Sequence, residues 1–445
     1  MRRIKKSKSI FEVRLEEHFG VSPLQLPVLS EEFESHDHVN LQVALDAWLS
    51  VPGRTSELLG IRGADGWREL TITDLLRSYP PQPEPGPVQY ANIQLEEGRV
   101  VTCIKEGLLF LRDGKRALVA LVSINGSPMS AGKVRVQVMA RSREDAGRFL
   151  GEIRTSMRER NVYRGRIISL ETDFRSLKVK LHQLPPVSRE GIILPEGLLE
   201  RIERHTIGFA RQAEHLRAAG RHLKRGLLLH GRPGTGKTLT ATYLANAMKG
   251  RTVFLVTGLG QGLVAYACRM ARALAPATII IEDVDLIGRD REIGCTSPLL
   301  YELLNEMDGL ADDADILFIL TTNRPHVIEP ALASRPGRID LAIELPLPDP
   351  ECRRRLFQLY SRGLPVERAD WEPLIPKTDG ASAAFIRELL RTAALFAAEA
   401  GHPSRVDQKD LEEALRELTI RGGLMTRRVL GFHTEEATAE RPSTS

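Results

Sequence analysis

The sequence lacks several features that mark particular protein classes. Only four cysteines occur in 445 residues, far apart and without a CxxC spacing, so neither a zinc site nor a disulfide framework is indicated. No stretch approaches the roughly 18 consecutive apolar residues of a transmembrane helix, and the basic start MRRIKKSKS is not followed by the apolar segment of a secretory signal. The net charge of +4 is small for this length and does not indicate nucleic-acid or membrane binding. These absences predict a soluble, cytoplasmic protein.

Apolar residues make up 42% of the chain, which is enough for buried cores, and the length suggests about three domains. Residues 1–185 are predicted to form a small α+β region with a proline-rich linker or surface loop at 79–87. Residues 190–348 alternate apolar strands with helices, and residues 349–425 have only helical patterns. The composition of 426–445 is typical of a disordered tail.

Strand and helix patterns within these parts are specific enough to place. In the first part, residues up to about 78 suggest short helices with turn-rich breaks, and a Ser cap with helical spacing predicts a helix over 142–160. Continuous apolar strands separated by helices predict a parallel sheet covered on both faces in the second part. The predicted strands are 116–124 and 133–140 in the first part, and 225–231, 251–258, 277–283 and 315–323 in the second.

The stretch GRPGTGKT at 231–238 follows an apolar strand and precedes a helix-prone segment, the context in which GxxxxGK[ST] indicates a phosphate loop. Its glycines let backbone N–H groups turn toward an anion, and the helix N-terminus adds a positive end. We expect Lys237 to reach the β and γ phosphates and the Thr238 hydroxyl to bind Mg²⁺. The alternative, a glycine-rich turn that matches by chance, is disfavoured by the flanking strand and helix. The residues predicted to bind ATP are Gly231, Arg232, Pro233, Gly234, Thr235, Gly236, Lys237, Thr238 and Leu239.

The apolar strand in TIIIEDVD, residues 278–285, ends in a cluster of carboxylates. Glu282 and Asp283 are adjacent, and Asp285 follows two residues later. Burying these charges is costly unless a cation or hydrogen-bond donors offset them, and in a phosphate-loop sheet a neighbouring strand brings acids to the Mg²⁺. The alternative is that these acids cap a helix, which suits Asp285 best.

Taken together, residues 226–340 resemble the AAA family of ATPases, within the AAA+ superfamily. The motifs that carry the resemblance are, in order, GRPGTGKT, IIIEDVDLIG, LLNEMDGL, ILTTNRP and ALASRPGRID. Residues 375–419 resemble the helical lid of the family, and the similarity covers roughly 190–420. The resemblance implies a P-loop NTPase with an α/β sheet and a helical lid, which hydrolyses ATP with Mg²⁺ and forms a ring, usually a hexamer.

The resemblance also implies roles for three residues. Asn323 stands where the first sensor Asn of the family orients the attacking water, although alone it could be a turn residue after a strand. Arg335 and Arg338 stand at the arginine-finger positions, which stabilise phosphoryl charge in the neighbouring subunit. A local ion pair between Arg338 and Asp340 is the alternative for the second of these. Fingers that act in trans complete the active site only between subunits.

The first departure from the family is the order of the two acids. Most AAA proteins carry Asp then Glu, whereas this chain has Glu282 then Asp283. By alignment Glu282 joins Thr238 on the Mg²⁺ side and Asp283 activates the water, although its shorter side chain requires a closer approach or a second water. AAA proteins of mitochondrial complex III assembly have a similar ED pair. We therefore interpret the chain as an active ATPase, with a nucleotide-gated binding module of vestigial hydrolysis as the alternative.

The second departure is a short segment, LGQGLVAYACRMARALAP at 259–276, where AAA unfoldases have a pore loop. No aromatic residue stands beside its glycines, and Tyr266 is interpreted as a position in a helix core, so threading of unfolded chains is in doubt. No HExxH occurs, which excludes the membrane-protease branch of the family.

The predicted partner is an unidentified protein that is recognised by residues 1–185 and remodelled by the ring. A DNA-acting AAA+ protein is a further alternative, because the Arg-rich stretch 154–166 could contact nucleic acid with Tyr163 stacking on a base. A solvated helix end is the preferred interpretation of that stretch, given the modest net charge.

Overall fold

The structure is a computed structural model of the 445-residue chain. It describes residues 8–63, 70–77, 82–96, 98–124, 132–173, 176–256, 262–285, 298–309, 314–328, 338–364, 370–403, 405–421 and 431–432. The chain divides into two compact units, Met1–Arg164 with Ile168–His182, and Gly165–Ile167 with Gln183–Ser445. None of the helices in the described ranges combines the length and the apolar character needed to cross a membrane.

The first unit is built on an antiparallel sheet. From residue 8 to residue 182 the helices are α1 (Ile10–Phe19), α2 (His38–Leu49), α3 (Ile72–Leu75) and α4 (Arg143–Glu159), and the strands are β1 (Val28–Phe33), β2 (Arg54–Arg62), β3 (Glu84–Gly86), β4 (Gln89–Glu96), β5 (Arg99–Asp113), β6 (Arg116–Ile124), β7 (Val134–Ala140), β8 (Ile167–Asp173) and β9 (Ser176–His182). The strand order is β1-β7-β6-β5-β2-β3, with β4 also paired to β5.

Both faces of this sheet are covered, which explains why its central strands are apolar without interruption. Leu109 and Leu111 of β5 point to a core shared with α2 and α4, whereas Leu108 and Phe110 point to a core shared with α1 and α3. Alternate residues of a strand face opposite sides, so a strand buried on both sides needs apolar residues at every position. The first unit therefore has two apolar cores of its own.

Several predictions for this unit are confirmed, and several strands were not predicted, among them β1, β2, β3, β8 and β9. Strands β6 and β7 and helix α4, with its Ser142 cap, lie where the sequence predicts them. Strands β1 and β2 lie in the stretch interpreted as helices and turns, because long-range pairing with β7 and β5 decides their conformation. Within the proline-rich stretch 79–87, β3 pairs with β2, so this part of the predicted linker is an edge strand.

The second unit has the predicted parallel sheet. Its strands are β10 (Arg225–His230), β11 (Thr252–Val256), β12 (Ala277–Ile281), β13 (Ile316–Thr322) and β14 (Leu341–Glu344), and its first helices are α5 (Leu198–Glu203), α6 (Phe209–Arg211), α7 (Ala213–Ala218), α8 (Lys237–Ala247), α9 (Leu263–Ala273) and α10 (Pro298–Asp308). The parallel order β14-β10-β13-β12-β11 places β10 between two later strands. Four of these strands confirm the sequence prediction, while the four-residue β14 was not predicted.

An all-helical lid follows the sheet, as the sequence predicts. Its helices are α11 (Pro350–Tyr360), α12 (Leu374–Lys377), α13 (Ala383–Glu399) and α14 (Gln408–Arg416), which enclose one apolar core. The predicted disordered tail, 426–445, is wrong at two positions: Gly431 and Phe432 pack on the lid, and the Phe432 ring belongs to its core. The rest of that tail lies outside the described residues.

A buried ion pair joins the amino ends of the parallel strands. The Arg251 guanidinium donates to the Asp315 carboxylate at 2.7 Å, to the Ala277 carbonyl at 2.5 Å and to the Thr278 hydroxyl at 3.2 Å. The charged side chains are only 6% and 9% exposed. Removing one partner of such a pair leaves an uncompensated buried charge, which is far more costly than losing a surface pair.

We expect Asp315→Ala to lower the free energy of unfolding by about 3 kcal/mol or more. The matched control is Glu306→Ala, which breaks the more exposed pair with Arg272 and is expected to cost less than about 1 kcal/mol. Urea-induced unfolding followed by circular dichroism measures both. Equal destabilisation by the two substitutions would show that the buried pair has no special role.

Candidate active site

Three strands of the second unit end at the same edge of the sheet. The phosphate loop follows β10, Glu282 and Asp283 follow β12, and Asn323 follows β13. The pairing is parallel, with His230 in register with Thr322. Because the carboxyl ends of parallel strands share an edge, chain segments that are about 40 to 50 residues apart meet beside one loop.

The phosphate loop at 231–238 has a backbone that suits an anion. Gly234 and Gly236 have φ values of +80° and +96°, a region in which glycine is favoured, and Gly236 directly precedes α8. The Lys237 ammonium donates to the carbonyls of Gly231 and Arg232, both at 2.9 Å. The loop is thus a cradle closed by its own lysine, and these residues fit a nucleotide phosphate chain.

Lys237 is an unusually buried cation, with 6% of the residue exposed. Burial lowers the pKa of its ammonium, and the negative charges of Asp283 and Asp285 oppose that shift. The ammonium is hydrogen-bonded to two carbonyl oxygens, and an anionic ligand would add further negative charge beside this buried cation.

The Thr238 side chain, at the end of the phosphate loop, lies close to the Glu282 carboxyl. Burial raises the pKa of the Glu282 carboxyl, a hydrogen bond with the Thr238 side chain opposes this shift, and the negative charge of Asp283 reinforces it. A hydroxyl and a carboxylate side by side are hard oxygen donors, the type that Mg²⁺ prefers. The two residues fit a Mg²⁺ ion that is bound together with phosphate.

Asp283 has a strained backbone and fixed contacts. Its φ is +48°, the left-handed region that few non-glycine residues adopt and that Asp and Asn tolerate best. Its N–H donates to the Thr321 hydroxyl at 3.0 Å, and its carboxylate accepts from the Asn323 amide at 2.8 Å. The two residues that the resemblance places near the γ-phosphate are therefore hydrogen-bonded to each other.

Asp285 anchors the end of β13, while the chain that follows it, 286–297, where the predicted helix cap would act, lies outside the described residues. One carboxylate oxygen accepts from the Thr322 hydroxyl at 2.8 Å and from the Asn323 N–H at 3.1 Å. Asn323 is thus held by its backbone to Asp285 and by its side chain to Asp283. The hydrogen bonds made by Asp285, Thr321 and Thr322 were not predicted from the sequence. The two threonines directly before Asn323 could have indicated them, because their hydroxyls form hydrogen bonds with the acidic residues that follow the neighbouring strand.

A cavity of about 490 Å³ adjoins the phosphate loop. One side is apolar and formed by Ile192, Ile193 and Leu194, and the lid contributes Tyr360 and the first turn of α13. Its wall also includes Asp283, Asn323, Arg387 and the phosphate-loop residues from Pro233 onward. The apolar and lid-derived walls have no motif in the sequence, because segments distant in the chain form them.

The two predicted arginine fingers differ in what the structure describes. Arg335 lies outside the described residues. Arg338 is 8% exposed and forms a two-pronged ion pair with Asp308 at the end of α10. Asp340, the partner considered from sequence, instead accepts from the Gly226 N–H at 2.8 Å.

Two further tyrosines were considered from the sequence. Tyr163 is buried and its hydroxyl donates to the His36 carbonyl at 2.9 Å, so the alternative in which its ring stacks on a nucleic-acid base is wrong. Tyr266 lies on helix α9, as expected, but it is half-buried, with the Arg269 guanidinium 5.3 Å from its ring centre. The start of the short pore segment, up to residue 261, lies outside the described residues.

Comparison with known proteins identifies this domain. Residues 227–347 match the family described as "ATPase family associated with various cellular activities (AAA)". An ATP-dependent zinc metalloprotease FtsH 4 of Sphaerobacter thermophilus is 34% identical over 248 residues, which are 51% of this chain and 37% of that protein.

Two relatives of another kind are equally similar. A 26S proteasome regulatory subunit 6B homolog of Encephalitozoon cuniculi is 35% identical over 227 residues, 48% of this chain and 58% of that protein. A proteasome-activating nucleotidase of Methanopyrus kandleri is 34% identical over 246 residues, 52% of this chain and 56% of that protein. This chain therefore spans less than two thirds of the length of each of these curated relatives. The family match, the parallel sheet and the helices after it together show that the chain contains an AAA ATPase domain, an α/β P-loop NTPase with a helical lid whose cofactors are ATP and Mg²⁺.

Proposed function

We propose that this chain is a ring-forming ATPase that hydrolyses ATP with Mg²⁺ to remodel a protein partner. The observation that carries the proposal is the 2.8 Å hydrogen bond from the Asn323 amide to the Asp283 carboxylate, at the sheet edge beside the phosphate loop. A site that binds nucleotide without hydrolysing it needs only the phosphate loop and its lysine. A fixed acid–amide pair facing the same cavity suits the activation and orientation of a water molecule.

Glu282 and Asp283 have different roles in the proposed reaction. Glu282, in contact with Thr238, serves the metal, and Asp283 accepts a proton from the attacking water. The short Asp283 side chain is suited to a position whose backbone is left-handed, and Asn323 fixes the direction of its carboxylate. The Glu–Asp order thus retains both roles.

Action on a protein is supported by the names of the relatives, which are an ATP-dependent zinc metalloprotease, a 26S proteasome regulatory subunit homolog and a proteasome-activating nucleotidase. The first unit has two apolar cores of its own, so it is suited to recognise the partner independently of nucleotide chemistry. The buried Tyr163 weakens the nucleic-acid alternative.

Assembly is tested through Arg335, because substitution of Arg338 would also break its pair with Asp308. We expect Arg335→Ala to abolish ATP hydrolysis and leave ATP binding intact, since a finger acts on the nucleotide of the neighbouring subunit. Mixing it with Lys237→Ala, which keeps its fingers, restores activity at about a quarter of the interfaces if subunits assemble at random. Mixtures that stay as inactive as their components contradict a finger in trans.

The competing function is a nucleotide-gated binding module with vestigial hydrolysis, which the shortened acid at Asp283 favours. The ATPase rate per subunit, measured against protein concentration, separates the two. A ring enzyme shows a rate that rises as subunits assemble, whereas the module shows tight ATP binding without turnover at any concentration. Salt-dependent DNA binding that stimulates turnover would instead support a DNA-acting protein.

A further inference from the structure

The start of lid helix α13 lies directly against the phosphate loop. Its cap residue Ser382 is fully buried and accepts from the Phe385 N–H at 3.2 Å. The Ala384 N–H donates to the Gly234 carbonyl at 3.2 Å, which links lid and loop through their backbones. A Cβ at Gly234 would stand 2.6 Å from the Ser382 hydroxyl oxygen, so the contact has no room for a side chain.

A segment from far along the chain, Gly431 and Phe432, completes this junction. Phe432 forms an antiparallel bridge with Ala381, and its ring centre lies 4.9 Å from that of Phe385 in the first turn of α13. Because Phe432 is 8% exposed, the bridge is protected from water and its ring stabilises the position of that turn.

Gly431 is the residue that reaches the phosphate loop. Its carbonyl accepts from the Ser382 N–H at 3.0 Å. A Cβ at this position would stand 2.5 Å from the Ser382 hydroxyl oxygen and 3.0 Å from the Pro233 carbonyl oxygen, and the φ of +77° also favours glycine. Gly431 therefore lies between the loop that holds the phosphates and the cap of the helix that covers the cavity.

We propose that Gly431 and Phe432 are positioning residues of the nucleotide site, which hold the start of α13 against the phosphate loop and so slow the release of bound nucleotide. Ala384 and Arg387 of α13 line the cavity, so movement of this turn away from the loop opens one wall. The inference rests on the proposed nucleotide-binding role of that cavity and not on hydrolysis. Opening breaks the bond from Ala384 to Gly234 and separates Gly431 from Pro233, and losing one net backbone hydrogen bond shifts such an equilibrium roughly three- to tenfold.

The test is the dissociation rate of a fluorescent ADP analogue, mant-ADP, from the full chain after mixing with excess ATP. We expect Gly431→Ala to raise this rate about tenfold, because the new methyl group separates Ser382 from Pro233. The matched control is Gly401→Ala in the same lid, where φ is +86° and a Cβ would meet nothing within 4 Å. Both substitutions impose a similar backbone strain, but only Gly431→Ala adds a steric contact with Ser382 and Pro233. The control should therefore release mant-ADP within about twofold of wild type.

Phe432→Leu provides an independent variant in case Gly431→Ala does not fold. It keeps the backbone bridge and most of the buried volume but loses the contact with the Phe385 ring, so we expect release to be about threefold faster. Gly431→Ala with the same release rate as Gly401→Ala would overturn the inference, as would Phe432→Leu with the wild-type rate. Wild-type protein that binds no mant-ADP would contradict the nucleotide site itself, whereas binding without ATP turnover contradicts only the proposed hydrolysis.

Discussion

Asp283→Asn is expected to lower the rate of ATP hydrolysis at least about 100-fold, because it removes the general base that activates the water. The affinity for ATP should change by less than about threefold, since Asp283 lies beside the phosphate loop and is not part of it. Asn tolerates the left-handed backbone at φ +48° almost as well as Asp, so the substitution separates chemistry from folding. Steady-state kinetics with a parallel measurement of nucleotide binding give both quantities.

Glu282→Gln is the matched control, because it removes the neighbouring charge with the same isosteric change. We expect it to raise the Mg²⁺ concentration needed for half-maximal activity, and excess Mg²⁺ should recover part of the rate, since the metal retains its other ligands. Excess Mg²⁺ should not recover Asp283→Asn. If the two substitutions respond to Mg²⁺ in the same way, the division of roles between the acids is wrong.

Lys237→Ala is expected to weaken nucleotide binding about 30- to 100-fold, as for the loss of a charged hydrogen-bond donor to phosphate. The nucleotide-free protein should lose little stability. Burial lowers the pKa of Lys237, which means that the folded state disfavours its charged form. The substitution removes this buried charge, and the gain in stability offsets the loss of the hydrogen bonds to Gly231 and Arg232. Titration with mant-ADP and thermal unfolding without nucleotide test the two parts.

Lys249→Ala serves as the control, because it removes an exposed lysine just after the helix that Lys237 begins. It should leave both the affinity and the unfolding midpoint unchanged. A Lys237→Ala protein that binds nucleotide as tightly as this control would exclude the loop at 231–238 as the phosphate site.

The sequence by itself determined the features that arise from local order. The loop at 231–238 is recognisable because its glycines and lysine must occur at fixed spacing between a strand and a helix. The strands that precede Asp283 and Asn323 were predictable because a strand buried on both faces has to be apolar throughout. Parallel strands share one edge, so the meeting of these segments also followed from the pattern.

The tertiary structure alone decided the features that depend on distant partners. Strand β1 contains two adjacent acids and has no clear alternation, and it is a strand because it pairs with β7 more than 100 residues later. One carboxylate oxygen of Asp285 accepts from the Thr322 hydroxyl and the Asn323 N–H, at the end of the neighbouring strand. Gly431 lies in a stretch of disorder-like composition, yet it packs between the phosphate loop and the lid. No local pattern encodes these contacts, because their free energy comes from groups that only the folded chain brings together.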